Sequence, residues 1–302
     1  MVLIRPMLRA NRTRKRVSHI FIFFIFLVSN IGGLLTPLGD PPLFLGFLRG
    51  VPFVWTMKLF PIWIFTVLIL LVIFFLFDSY MVRKEARNSS SFLEAVDEMP
   101  HKKVEIKGKI NFVFLLMVIG SLFLPQILRE LVMLSAVALS IYFTSVALRE
   151  ENAFTYHPII EVAILFAGIF VTIAPVMKIL SMSGSELSIT KPWQFFWITG
   201  ILSSFLDNAP TYLIFFSSAQ NVADTLGIVE NLIVGVPEIY LRAISVGAVL
   251  MGANTYIGNG PNFMVKAICE ENNVDMPSFF GYMLWSLIFL IPLFLLITLI
   301  FF

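Results

Sequence analysis

Residues 62–77 read IWIFTVLILLVIFFLF, an unbroken apolar run with no charged side chain. Such a run is at home inside hydrocarbon, where a span of about 30 Å takes roughly 20 helical residues. Comparable stretches recur, and we read crossings near 58–79, 110–126, 130–148, 159–181 and 279–302. Interrupted apolar stretches lie at 18–48, 193–219 and 240–268. The whole chain is 58 % hydrophobic and 13 % charged, with a mean hydropathy of +0.90. A soluble domain of this size needs more charge to stay in solution. A membrane β-barrel would show short alternating strands with a polar lumen face, which these continuous blocks exclude. The fold class is therefore an all-α polytopic membrane protein.

Charge placement sets an expected orientation. Arg5, Arg9, Arg12, Arg14, Lys15 and Arg16 form one basic segment; Arg83, Lys84, Arg87, Lys102, Lys103, Lys107 and Lys109 dominate a second. Such excesses mark the cytoplasmic side. An even number of crossings must separate them, and the broken stretch 18–48 with helix 58–79 supplies two. Segment 110–126 then leads out and 130–148 returns, leaving Arg149, Glu150 and Glu151 inside. Segment 159–181 leads out again, 193–219 is a re-entrant hairpin, 240–268 crosses inward and 279–302 outward. The Ser/Glu-rich part of the loop, 88–99, reads as a linker between halves. The division is thus 1–82, the cytoplasmic linker 83–109, and 110–302. Basic runs beside membrane spans argue against a nucleic-acid role. The polar, basic opening is not the pattern of a cleavable signal peptide.

One long-range repeat stands out. TPLGDPPLF at 36–44 aligns without a gap to TYIGNGPNF at 255–263. Thr36 falls on Thr255, Gly39 on Gly258, Pro42 on Pro261 and Phe44 on Phe263, with Asp40 opposite Asn259. On the topology above the two segments cross in opposite directions, so the repeat is inverted. Helices are the default in hydrocarbon because every backbone N–H and C=O needs a partner. Gly39, Pro41 and Pro42 in one motif, and Gly258, Gly260 and Pro261 in the other, stop helical bonding at mid-span. Such breaks are tolerated only where buried in protein or lining a wet cavity, and paired breaks in two halves point to a transport site. Two kinks that merely shape the bundle would explain poorly why Thr, Gly, acid or amide, and Pro keep their order.

A third break, Asp207-Asn208-Ala209-Pro210-Thr211, interrupts WITGILSSFLDNAPTYLIFFSSA. A charge at membrane depth costs several kcal/mol without a partner, water or ion. The plainer reading is that Asp207 caps a helix. Glu161 opens an apolar helix and reads as interfacial; Arg242 and Lys266 flank the second break and read as snorkelling anchors. Cys269 is the only cysteine, so neither an intramolecular disulfide nor a cysteine metal cluster is expected. His19, His101 and His157 lack ligand spacing and read as caps or interfacial side chains.

NIGGLLTPLGDPPLFLGFL at 30–48, SSFLDNAPTYLIFF at 203–216 and GANTYIGNGPNFMVKAICE at 252–270 closely resemble NhaD-type sodium/proton antiporters of the ion transporter superfamily. That superfamily also holds citrate and dicarboxylate carriers. The resemblance implies a re-entrant hairpin followed by an interrupted helix in each half, the tips and breaks together binding the ion. It assigns 203–216 to the second-half hairpin and places a first-half hairpin upstream of residue 30. Met1 to Lys15 resembles the segment just after such a tip, so the first repeat is expected to be incomplete in this sequence.

The implied chemistry is exchange of Na⁺ (or Li⁺) for H⁺. Asp207 and Asp40 are the carboxylates expected to bind cation or proton in turn. Burial disfavours the charged form of a carboxylate and a bound cation restores it, so the two ions compete. Thr36, Asn208, Thr211, Asn254, Thr255 and Asn259 offer oxygens to a hard cation, with Asn30 and Asn262 as further candidates. The rival within the superfamily is Na⁺-coupled citrate or dicarboxylate uptake; its hairpin tips carry Ser-Asn-Thr, where Asp-Asn-Ala-Pro-Thr stands here and would repel an anion. A non-transporting fragment needing a partner chain is the reading from another class. No nucleophile–base pair or phosphate loop suggests an enzyme. No cofactor is implied; the expected partners are the lipid bilayer, small inorganic cations and a second copy in a homodimer, in a bacterial inner membrane.

Overall fold

The computed structural model describes residues 3–88, 107–121, 123–151, 154–157 and 189–302, with scattered positions between 159 and 178. Glu161, His101, nearly all of linker 88–99 and much of the crossing expected at 159–181 lie outside the described residues. The chain divides into two compact units, one of Met1–Leu93 with Pro158–Phe302, the other of Glu94–His157.

In the larger unit, α1 (Ile4–Ala10) precedes α2 (Ser18–Phe24). Helix α2 runs on as a π-helical segment, Ile25–Asn30, and a 3₁₀ turn, Ile31–Leu35, before the chain becomes extended at Thr36. After the break come α3 (Pro41–Leu48), a 3₁₀ stretch (Phe53–Leu59) and α4 (Phe60–Asn88). At 1.5 Å per residue, the 29 residues of α4 reach about 43 Å, enough for hydrocarbon and a headgroup layer.

The smaller unit contains α5 (Asn111–Ser121), α6 (Gln126–Phe143) and α7 (Val146–Glu151). Asn111 binds Thr144 Oγ1 at 2.9 Å and accepts from Ser140 Oγ at 2.7 Å, tying α5 to the end of α6. Arg149 Nη2 donates to the carbonyls of Ile141 and Thr144 at 3.1 and 3.0 Å, satisfying oxygens that the end of α6 leaves unpaired.

Back in the larger unit follow α8 (Pro192–Phe205), α9 (Asn208–Leu226), α10 (Glu238–Met251), α11 (Gly260–Glu271) and α12 (Phe279–Phe301). A two-residue β-ladder between Leu232–Ile233 and Val236–Pro237 joins α9 to α10. Three stretches among the described residues are long and apolar enough to span a membrane: Ser18–Leu35, Phe53–Arg87 and Phe279–Phe301. The first is 67 % buried within the protein, the others 22 % and 28 %. Ser18–Leu35 is thus the inner element; Leu68, Phe75 and Leu76 of α4 and Leu287 and Leu299 of α12 face outward, as lipid contacts do.

Polar contacts define two ends of this unit. At one, Arg14 pairs with Asp78 at 2.6 Å, the Lys15 N–H donates to Glu85 at 2.5 Å and Ser18 Oγ donates to the Asp275 carbonyl at 2.6 Å. At the other, Lys58 pairs with Glu238 at 2.8 Å and Tyr240 Oη donates to the Thr190 carbonyl at 2.7 Å. The chain leaves the first end at Ser18 and reaches the second by Lys58; it leaves the second at Glu238 and returns to the first by Asp275. His19, expected as a cap or interfacial side chain, is instead buried and bonded through Nε2 to Asp78 at 2.9 Å. An acid one helix away supplied the partner, which spacing along the chain does not reveal.

Candidate functional site

Both breaks have one internal geometry. Thr36 (φ −139°, ψ 148°) matches Thr255 (φ −137°, ψ 166°), and Asp40 (φ −151°, ψ 143°) matches Asn259 (φ −155°, ψ 136°). Two extended residues bound each break, and the backbone crosses itself closely there. A Cβ on Gly33 would lie 2.6 Å from the Gly39 carbonyl oxygen, and one on Gly258 2.6 Å from that of Gly252. Only glycine allows the chain to pass itself so closely there. The pairs Gly33–Gly39 and Gly252–Gly258 obey the same offset as Thr36 and Thr255, so the repeat extends upstream of the nine aligned residues. Prolines at the first turns of α3 and α11 restart each helix, where their missing N–H costs nothing.

Asp40 and Asn259 occupy the N-cap positions of α3 and α11, yet neither side chain caps its own helix. They turn to each other instead: Asn259 Nδ2 donates to Asp40 Oδ1 at 3.1 Å. The two repeat-equivalent residues therefore meet. Asn208, at the start of α9, donates through Nδ2 to both Asp40 oxygens at 3.3 and 3.1 Å. Asp40 is buried, and its hydrogen-bond partners are these two amides; among the described residues no cationic side chain pairs with it. The N-termini of α3, α9 and α11 converge here, and their partial positive charge favours a carboxylate.

Further out, Asn30 Oδ1 accepts from Asn259 Nδ2 at 3.1 Å, and Asn30 Nδ2 donates to Asn262 Oδ1 at 2.7 Å. Asn262 Nδ2 donates to the carbonyls of Gly252 and Thr255, both at 2.9 Å. The hairpin tip is bound to the second break. Thr255 Oγ1 donates to the Ser204 carbonyl and accepts from the N–H groups of Ile257 and Gly258 at 3.2 and 3.0 Å. Asn254 Nδ2 donates to Ser204 Oγ at 2.9 Å; Ser204 Oγ in turn donates to Met251, and Ser203 Oγ to Ala248. Two buried amide oxygens, Asn208 Oδ1 and Asn254 Oδ1, accept no hydrogen bond among the described residues.

Asp207 is half-buried and caps α9, accepting from the Ala209 N–H at 3.5 Å, in line with the plainer reading. Thr211 Oγ1 donates to the Asp207 carbonyl at 2.9 Å, and Thr36 contributes its carbonyl, which accepts from the Gly39 N–H at 3.0 Å. Pro210 lies in the first turn of α9. Lys266 pairs with Glu270 and lies over the Tyr256 ring of the second break at 5.7 Å. Sequence reasoning passed over Ser203, Ser204, Tyr282 and Thr56. Tyr282 Oη donates to the Ala253 carbonyl and Thr56 Oγ1 to the Leu35 carbonyl, both at 2.8 Å, so each break has a hydroxyl from a following element on a freed carbonyl. The Ser-Ser pair just before Leu206 was a usable signal; the two hydroxyls had none. No cluster of three or more His, Cys, Asp or Glu residues suits a metal ion among the described residues.

A family model described as "Putative citrate transport" matches residues 1–302. The chain belongs to this citrate-transport family. It is accordingly a membrane protein of a secondary-transporter family, built of helices and broken at matched points. Neither the curated proteins nor the solved structures yielded a match.

Proposed function

We propose that this family member exchanges Na⁺ (or Li⁺) for H⁺, with Asp40 taking cation and proton in turn. The observation that carries the reading is Asp40 itself: a buried carboxylate at a helix break, held by two neutral amides and no cation. A charge left so at membrane depth is expensive unless an ion or proton joins it. Asn208 Oδ1 and Asn254 Oδ1, buried and unpartnered, supply the neutral oxygens that a hard cation takes. Competition for one carboxylate links the two fluxes. Asp207, at the same tip, is the second acid. The opposite running of the two broken helices supports an inverted repeat, with alternating access as in other such folds. The orientation proposed has the N-terminus and loop 83–109 in the cytoplasm of a bacterial cell.

The family's description favours a second reading, cation-coupled uptake of citrate or a dicarboxylate. Everted vesicles decide between them. Under the first reading Na⁺ or Li⁺ drives a change in internal pH that Asp40→Asn abolishes. Cation-dependent uptake of labelled citrate, with no such pH change, would replace it with the second.

A further inference from the structure

Asn259 offers two hydrogens to three acceptors: Asp40 Oδ1 at 3.1 Å, Asn30 Oδ1 at 3.1 Å and the Ser29 carbonyl at 3.3 Å. Its amide has one stable orientation, NH₂ toward Asp40, because a flipped carbonyl would face three oxygens. Of the three, Asn30 supplies the side-chain amide oxygen. Its own amide is fixed at the nitrogen end, donating to the Ile25 carbonyl at 2.8 Å and to Asn262 Oδ1 at 2.7 Å, so its oxygen must point at Asn259. The π-helical segment Ile25–Asn30 places the Ile25 carbonyl within reach of the Asn30 side chain. Gly252 leaves the room required, since a Cβ there would sit 3.3 Å from Asn30 Oδ1. Asn262 is anchored in turn to the carbonyls of Gly252 and Thr255 in the second break. One line of amides thus runs from the backbone of the second break to the carboxylate of the first. Both ends of the Asn30 and Asn262 amides are hydrogen-bonded within this line.

We propose that Asn30 is a positioning residue: it orients Asn259 as a fixed donor to Asp40 and ties that carboxylate to the second break through Asn262. This rests on the reading of Asp40 as the ion-binding group. The test uses the purified full chain in lipid and follows the infrared band of the protonated Asp40 carboxyl against pH, assigned by its loss in Asp40→Asn. A hydrogen bond from an amide favours the charged carboxylate, so removing the donor should tighten proton binding by roughly tenfold or more. That gain is expected in Asn259→Ala, in the same direction in Asn30→Ala, and no larger in the double variant, because Asn30 acts through Asn259. Asn262→Ala, which frees the Asn30 amide, serves as the second variant and should shift the band the same way. Asp207, the other acid at the site, stays in place throughout. A wild-type titration in Asn30→Ala or Asn262→Ala, or shifts that add in the double variant, overturns the proposal. Adding Na⁺ at fixed pH tests the cation reading separately: a band indifferent to Na⁺ and Li⁺ defeats that reading while leaving the pH comparison valid.

Discussion

Among the nine aligned residues of the two breaks, charge differs at one position. At equivalent positions the chain places Asp40 and Asn259, and the structure sets them 3.1 Å apart with both side chains turned away from the helices they could cap. Capping was available to each and would contribute about 1 kcal/mol, so the site has its N-caps at the cost of some local stability. Asp207 does the reverse and caps α9. The two acids should therefore respond differently to neutralisation. Asp40→Asn is expected to remove cation-dependent proton movement in vesicles. Asp207→Asn retains a good cap, so thermal unfolding in detergent should shift by less than for Asp207→Ala, which should cost about 1 kcal/mol. Equal and complete loss of exchange in Asp40→Asn and Asp207→Asn, with unaltered unfolding, would make the acids partners rather than unequal. Asp40, Asn208 and Asn259 were legible in the sequence because membrane-depth polarity and a repeat both mark them. The bonds from the Thr211 and Thr255 hydroxyls to the Asp207 and Ser204 carbonyls were not, because no motif marks them.

At the scale of elements, each break is a tight backbone crossing held by what packs against it. Gly258 sits against the Gly252, Ser203 and Ser204 carbonyls, so Gly258→Ala overpacks a site whose neighbours are all backbone. Overpacking typically costs 1–3 kcal/mol, and this site has no flexible side chain to yield, so a loss of about 3 kcal/mol or failure to fold is expected. Gly120, in α5, has nothing within 4 Å of a built Cβ. Gly120→Ala should be neutral or gain up to about 1 kcal/mol from helix propensity. Thermal unfolding of the two variants beside the wild type checks both; equal midpoints would mean the second break is looser than this geometry. Ser204→Ala removes a hydroxyl that bonds both Met251 and Asn254 across the hairpin and α10. It should cost about 1–3 kcal/mol in unfolding because the Asn254 amide is left buried without a partner. The helices and their interruptions were readable from apolar runs and Gly/Pro clusters. The hydroxyls of Thr56 and Tyr282 that hold the freed carbonyls were not, since neither residue lies in a motif.

Over the whole larger unit, the same two ends are reached twice in opposite order, and the orientation proposed above puts the one with Arg12 to Arg16 in the cytoplasm. Arg14–Asp78 and Lys15–Glu85 lie at the end with the basic segments, Lys58–Glu238 at the other. The contacts share Arg14 and Lys15 with the parity argument and add Asp78 and Glu85, which bring the first basic segment to the far end of α4. Labelling can test the membrane assignment because the chain has one native thiol, Cys269, whose full burial should keep it from a charged maleimide. Arg12 and Arg83 are exposed near the first end, and Val229, 83 % exposed, precedes the β-ladder near the second. Arg12→Cys and Arg83→Cys should react with an impermeant maleimide in everted vesicles and stay unlabelled in intact cells, while Val229→Cys should react in intact cells. Labelling of Arg12→Cys and Val229→Cys from one side would break the inverted relation between the halves. Labelling of Arg12→Cys and Arg83→Cys from opposite sides would break the parity, and with it the claim that residues 18–48 cross the membrane.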